Sequence, residues 1–139
     1  MTTAYVTHQR YLEHHLSGHP EHPRRVQVIW DELKSSGLIE ELSLSIPKPI
    51  SDEQILSVHT QRYLEVLRPI EFEENLYRFD ADTYAFQESP QIAKLSAGGA
   101  VCAVDAIMQE DYQNALAVVR PPGHHAVSTR AMGFCLLGN

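Results

Sequence analysis

Ala115-Leu116-Ala117-Val118-Val119 is an uninterrupted apolar run of strand length, and its reading sets the architecture. Alternating apolar and polar residues mark a strand with one wet face. A continuous run marks a strand covered on both faces, as inside a parallel sheet. These five residues therefore predict a central strand. Just upstream, Ser89-Pro90 reads as the cap and first turn of a long helix running to about Gln109, whose charges, Lys94 and Asp105, fall on a single stripe. Such a helix is expected to be buried nearly all round. Gly98-Gly99 sits in its middle, where each glycine costs roughly 1 kcal/mol against alanine, so a close approach by a neighbouring element is expected there.

Towards the N-terminus the pattern alternates between strand and helix. Residues 4–7 read as a short strand, followed by a polar, histidine-rich loop to His22. Pro23 suits a first helical turn, Val26, Ile29, Trp30 and Leu33 follow helical spacing, and Gly37 stands where the helix should stop. Residues 42–46 alternate at period two and read as a strand closed by Pro47 and Pro49. Ser51 and Gln54 have capping-box spacing, opening a short helix towards His59, and a second short helix covers 61–67. Residues 68–88 carry no clean period and read as irregular. Strands alternating with helices predict an α/β architecture: part of a three-layer αβα arrangement with a mainly parallel sheet, in a single domain over 1–139.

Bulk composition narrows the function classes. Eleven Lys and Arg against 18 Asp and Glu give a formal net charge of −7, which argues against direct nucleic-acid binding through a basic stripe. The opening Met1-Thr2-Thr3-Ala4-Tyr5-Val6 lacks the basic flank and apolar run of a leader peptide. The most apolar stretch, 95–108, is short for a bilayer span and carries Asp105, so no membrane association is expected. Two cysteines, Cys102 and Cys135, do not make a disulfide framework, and a cytoplasmic setting is expected.

The chemistry follows the central strand. Arg120-Pro121-Pro122-Gly123-His124-His125-Ala126 emerges where ligands bind in open α/β sheets, beyond the carboxyl ends of the strands, and Gly133-Phe134-Cys135 comes shortly after. Two prolines stiffen this loop and Gly123 permits a turn that other residues resist. One of two imidazoles held there can transfer a proton while the other supports charge. A histidine pair alone is better explained by a structural or exposed role than by metal ligation. Arg25 can be read as an ion-pairing residue, Asp80 and Asp82 as turn residues, and His59 as a packed structural histidine. A Cys135–His125 nucleophile pair lacks a visible orienting partner. The cluster His14, His15, His19 and His22 reads as an exposed polar loop.

The full string weighs differently. Arg120-Pro121-Pro122-Gly123-His124-His125-Ala126 with Met132-Gly133-Phe134-Cys135 resembles the active-site signature of the histone deacetylase family, which includes bacterial acetylpolyamine and acetoin-utilisation relatives. His19-Pro20-Glu21-His22-Pro23-Arg24-Arg25, Val58-His59-Thr60 with Tyr63-Leu64, Asp80-Ala81-Asp82-Thr83 and Ala97-Gly98-Gly99 resemble further elements of that family, in order. The resemblance implies the N-terminal part of the arginase/deacetylase fold. It implies that His125 is the main general base and acid and His124 its electrostatic companion. Gly133 and Phe134 would line the substrate channel, Arg25 an internal cavity for acetate release, and Asp82, or else Asp80, the channel rim.

The family's zinc is held by two aspartates and a histidine downstream of the Gly-Phe-Cys segment. The resemblance therefore implies zinc in the complete domain but no metal ligands in these 139 residues. The ending Leu136-Leu137-Gly138-Asn139 also departs from the family's usual pattern, with Gly138 in place of an asparagine. Two functions remain open. The chain is the N-terminal portion of a zinc-dependent amidohydrolase acting on acetyl-lysine or acetylpolyamine-type amides, inactive by itself, or a non-catalytic remnant that binds or assembles. Surface covered in the complete family fold is expected to be exposed here and to drive homo-oligomerisation, most simply as a two-fold dimer.

Overall fold

The computed structural model describes residues 3–139; Met1 and Thr2, which begin the stretch read for a leader peptide, lie outside the described residues. In chain order the elements are β1 (Thr3–Val6), α1 (Arg24–Ser35), β2 (Leu42–Ser45), α2 (Asp52–Leu56), α3 (Gln61–Ile70), β3 (Tyr77–Arg78), β4 (Tyr84–Ala85), α4 (Ser89–Met108) and β5 (Asn114–Ala117). Short 3-10 turns at Gln9–Leu12 and Leu38–Glu41 flank α1. The main sheet is parallel, in the order β2-β1-β5, with Tyr5 opposite both Leu44 and Leu116. The architecture is α/β, as the alternation of periods predicts.

Residue parity assigns the two helical layers, because successive side chains of a strand face opposite ways. Tyr5 and Thr7 face α1: the indole Nε1 of Trp30 donates to Thr7 Oγ1 at 2.9 Å, and Thr7 donates in turn to the Val118 carbonyl at 2.8 Å. Val119 faces α4. A Cβ at Gly99 would strike the Val119 side chain, and one at Gly98 would run into the Lys48 carbonyl. The backbone of Ile50 donates to the Lys94 carbonyl at 3.1 Å, which places the segment after β2 directly on α4. The glycine pair is therefore where the helix admits its neighbours, as expected.

Local signals hold at several ends. Ser51 and Gln54 form the reciprocal capping box on α2. Gly37 takes a left-handed φ of 78° after α1, a conformation that glycine adopts without the clash a Cβ would bring. Helix α3 runs on to Ile70 with Pro69 inside its last turn. Ser89 is the first residue of α4 rather than its cap, which is Glu88; its buried Oγ accepts from the Phe86 amide at 2.8 Å. An apolar cluster that includes Leu64, Leu67, Leu136 and Leu137 pins the C-terminal segment against α3. Each leucine so buried contributes about 1.5–3 kcal/mol.

Three expectations are corrected. The central strand is β1, with Ala4, Tyr5 and Val6 buried, whereas β5 is an edge strand with Leu116 38% exposed. No further strand pairs beyond β5 among the described residues, and its apolar run is not covered on both faces, since Leu116 and Ala117, which point to opposite faces, are both exposed. Helix α4 is buried nearly all round only through Gly99: beyond it one face packs on the sheet, and on the other Val104 and Met108 are 58% and 74% exposed because no described element covers that face. The whole of α4 is longer than residues 95–108 and is long and apolar enough to cross a membrane by length and composition alone, as core helices also can be; 44% of that window is buried within the molecule. Residues 68–88 are not wholly irregular, since β3 and β4 form an antiparallel hairpin pairing Tyr77 with Ala85.

Candidate active site

Strand β1 is flanked by strands reached through connections that leave on opposite sides, so a crevice opens at the carboxyl ends of β1 and β5. The His124–His125 loop emerges there. Its root is Arg120, wholly buried. The guanidinium donates to the Glu21 carboxylate from Nε at 2.9 Å, to the Tyr11 carbonyl from Nη1 at 2.6 Å and to the Glu21 carbonyl from Nη2 at 3.1 Å. The Arg120–Pro121 bond is cis. The Pro121 carbonyl accepts from Ser96 Oγ at 2.7 Å. Gly123 is enclosed by the Asn139 side chain and the Leu137 carbonyl, with no room for a Cβ.

Beyond these anchors the rings of His124 and His125 lie 4.3 Å apart, tilted by 56°, and both are exposed. His125 is fixed from behind. Its amide donates to Cys135 Sγ at 3.4 Å, and the thiol donates to the Gly133 carbonyl at 3.2 Å. A Cβ at Gly133 would stand 2.7 Å from that of His125, so the glycine passes directly beneath the imidazole. Gly133 and Phe134 both adopt left-handed backbone, φ 58° and 69°. For phenylalanine that is a strained conformation, of the kind held at functional sites by surrounding contacts. Here the Phe134 amide donates to Thr83 Oγ1 at 3.1 Å, and the Thr83 hydroxyl donates to Asp82 Oδ1 at 3.3 Å.

Arg25, Pro122, His124, His125, Gly133 and Phe134 line one cavity of about 340 Å³. Five of the six residues singled out in the sequence therefore converge. Two larger cavities, about 520 and 560 Å³, lie elsewhere and do not include the histidine pair. Arg25 is 64% exposed and stands 3.9 Å from Glu21 Oε1; it also borders a second cavity of about 320 Å³ with Glu21 and Arg120. Asp82 does not line the histidine cavity, but its backbone carbonyl accepts from His19 Nε2 at 2.7 Å. Asp80 serves the turn itself, accepting from the amides of Asp82 and Thr83 at 3.0 and 2.7 Å.

The remaining histidines separate by surroundings. His14 is buried, contrary to the reading of an exposed cluster. It stacks on Tyr84 at 4.5 Å with its Nδ1 2.8 Å from Ser89 Oγ, and burial, helped by the nearby Arg120 charge, pushes its pKa down to about 3. His15 and His22 pair through their Nε2 atoms at 3.0 Å. His59 accepts from the Gly138 amide at 2.9 Å and burial lowers its pKa, a packed structural residue. Burial pushes the Cys135 thiol up, away from the thiolate a nucleophile needs. Among the described residues no three His, Cys, Asp or Glu side chains are placed to hold a metal ion.

Sequence reasoning missed Glu21 and Arg120 as partners, and His19, Thr83 and Tyr84 as the supports of the Phe134 wall. The signal was an arginine placed straight after an apolar strand: a buried charge requires a partner, and the Glu21 of His19-Pro20-Glu21 supplies it.

Residues 19–139 match the histone deacetylase domain family. Over its whole length the chain is 35% identical to a probable deacetylase of Archaeoglobus fulgidus, of which it covers 39%. It is 37% identical over 88% of its length to a histone deacetylase-like amidohydrolase of Pseudomonas aeruginosa, covering 32% of that protein. It is 34% identical over 86% of its length to the polyamine deacetylase HDAC10 of Danio rerio, covering 18%. The solved HDA15 HD domain superposes on 99% of this chain with a TM-score of 0.89 at 32% identity, and the chain spans 40% of it.

Proposed function

The chain belongs to the histone deacetylase domain family, and from that premise we propose that it carries the acid–base and channel-wall part of a zinc-dependent amidohydrolase acting on acetyl-lysine or acetylpolyamine-type amides. The observation that carries this reading is the convergence of Arg25, His124, His125, Gly133 and Phe134 on one cavity. In it, His125 takes a proton from the attacking water and returns it to the leaving amine, with His124 beside it to share the charge that develops. Gly133 leaves room under the imidazole, and the Phe134 ring bounds the path of an acyl chain. Arg25 offers a positive charge for the carboxylate product at the border of the adjoining cavity.

Zinc, when bound in such a domain, polarises the amide carbonyl and activates water. These residues do not fit a zinc site, because the histidine pair has no third donor beside it among the described residues. The ligands would therefore come from outside these 139 residues, and the isolated chain is inactive. Elemental analysis of the purified chain, with an assay on acetyl-lysine peptides and acetylpolyamines, tests this. We expect no stoichiometric zinc and no turnover above background; one tightly bound zinc, lost on replacing both histidines by alanine, would overturn the reading.

A second reading, an assembly module, is favoured by one observation. Edge strand β5 exposes Leu116, and the outer half of α4 exposes Val101, Val104, Ile107 and Met108. An unpaired edge and an apolar helix face recruit other chains. On this reading the chain forms a homodimer, which sedimentation at several concentrations would detect.

A further inference from the structure

We infer that His19 is a positioning residue that sets the gap between the Phe134 wall and the histidine pair, an inference that rests on the proposed reading of the cavity. The imidazole sits edge-on between two rings, 4.8 Å from Tyr84 at 70° and 4.9 Å from Phe134 at 80°. Its Nδ1 accepts from the Glu21 amide at 3.1 Å, and its Nε2 lies 2.7 Å from the Asp82 carbonyl oxygen. An amide can only donate and a carbonyl can only accept, so both bonds form together in one species alone: the neutral imidazole protonated at Nε2. The ring is thus fixed in tautomer, tilt and position.

Both ends of this imidazole lead to the site. Through Glu21 it joins the buried guanidinium of Arg120, at the root of the loop that carries His124 and His125. Through Asp82 it joins the turn whose neighbour Thr83 accepts from the Phe134 amide. His19 and Glu21 are two residues apart across Pro20, whose ring restricts the backbone between them. One tripeptide therefore spans from the base of the histidine loop to the opposite wall of the cavity. The strained left-handed backbone of Phe134 is held at its amide by Thr83 and at its ring by His19. This assigns His19 a place in shaping the channel although it does not line the cavity.

The test is spectroscopic and uses the whole chain. Nitrogen-15 NMR of the histidines reads the tautomer, and 4-fluorophenylalanine in place of phenylalanine gives a fluorine line for Phe134, identified by its loss in Phe134→Leu. We expect His19 protonated at Nε2 and a single displaced Phe134 line. His19→Phe keeps a ring but removes both hydrogen bonds, and should shift the Phe134 line and the Thr83 amide. His19→Gln returns an N–H donor near the Nε2 position without a ring, and should restore the Thr83 amide but not the Phe134 line. An Nδ1-protonated His19, wild-type signals in both variants, or the same set of shifts in both, would overturn the assignment. These signals report geometry and not hydrolysis, so they stand or fall separately from the acid–base role of His125.

Discussion

Glu21 and Arg120, 99 positions apart in sequence, form a two-point ion pair with side chains 2% exposed: Nε to Oε1 at 2.9 Å and Nη2 to Oε2 at 2.8 Å. Removing one member of such a pair leaves an uncompensated buried charge, which costs about 3–5 kcal/mol, whereas replacing both by well-packed apolar groups of similar volume is often near neutral. Arg120→Met should therefore lower unfolding stability by at least that amount, and adding Glu21→Gln should recover the part due to the unpaired carboxylate but not that of the Tyr11 and Glu21 carbonyls, which also lose their donor. Chemical denaturation of the two single variants and the double variant gives the coupling. A single-variant loss below about 1 kcal/mol would show that the pair is solvated.

Gly133→Ala separates backbone strain from crowding at the site. A left-handed alanine costs roughly 1–2 kcal/mol wherever it stands, and at φ 58° the new Cβ would also press on His125. Gly18, at φ 76° with nothing within 4 Å of its would-be Cβ, is the control for the first effect alone. Gly133→Ala should destabilise more than Gly18→Ala and should shift the His125 ring resonances, which Gly18→Ala leaves in place. Equal losses with unmoved His125 signals would contradict the packing beneath that imidazole.

Buried His14 makes stability depend on acidity. Its pKa is about 3 in the fold against 6.5 when exposed, so between those values the unfolded chain binds more protons than the folded one. Stability contributed by the neutral ring is complete above pH 6.5 and is lost as pH falls towards 3, by a few kcal/mol at the bottom of the window. His14→Asn, which keeps a polar atom near the Nδ1 position facing Ser89, should flatten the slope of unfolding free energy against pH in that window. His59, also lowered by burial, adds a slope of the same sign that remains in the variant. An unchanged slope would place His14 in water.

Much of this was legible because local rules and global packing agree. Ser51 with Gln54, Gly37 after α1, and the glycine pair at 98–99 each act where their chemistry predicts. The errors share one physical source. The apolar run at 115–119 and the apolar outer half of α4 look like core by composition, yet composition records what a surface would bury against and not whether that partner is present among these residues. The site divides the same way. His124, His125, Gly133 and Phe134 stand close in sequence and were readable as a string, whereas Glu21 with Arg120 and His19 with Asp82 are pairings across 99 and 63 positions that only the fold brings together. Polar residues of the N-terminal loop gave no sign that His14 would be buried while His15 stays exposed.

The most direct test of the central claim, that this chain supplies a working acid–base and channel portion but not the metal ligands, is a chimera. The chain replaces the matching third of the Pseudomonas aeruginosa amidohydrolase, of which it covers 32%, and hydrolysis of an acetyl-lysine peptide and an acetylpolyamine is measured with zinc present. The account predicts turnover in the folded chimera that falls by at least about a hundredfold in His125→Ala, the scale of a positioned general acid–base. A folded, zinc-loaded chimera without turnover, or one whose turnover is indifferent to His125→Ala, would contradict it.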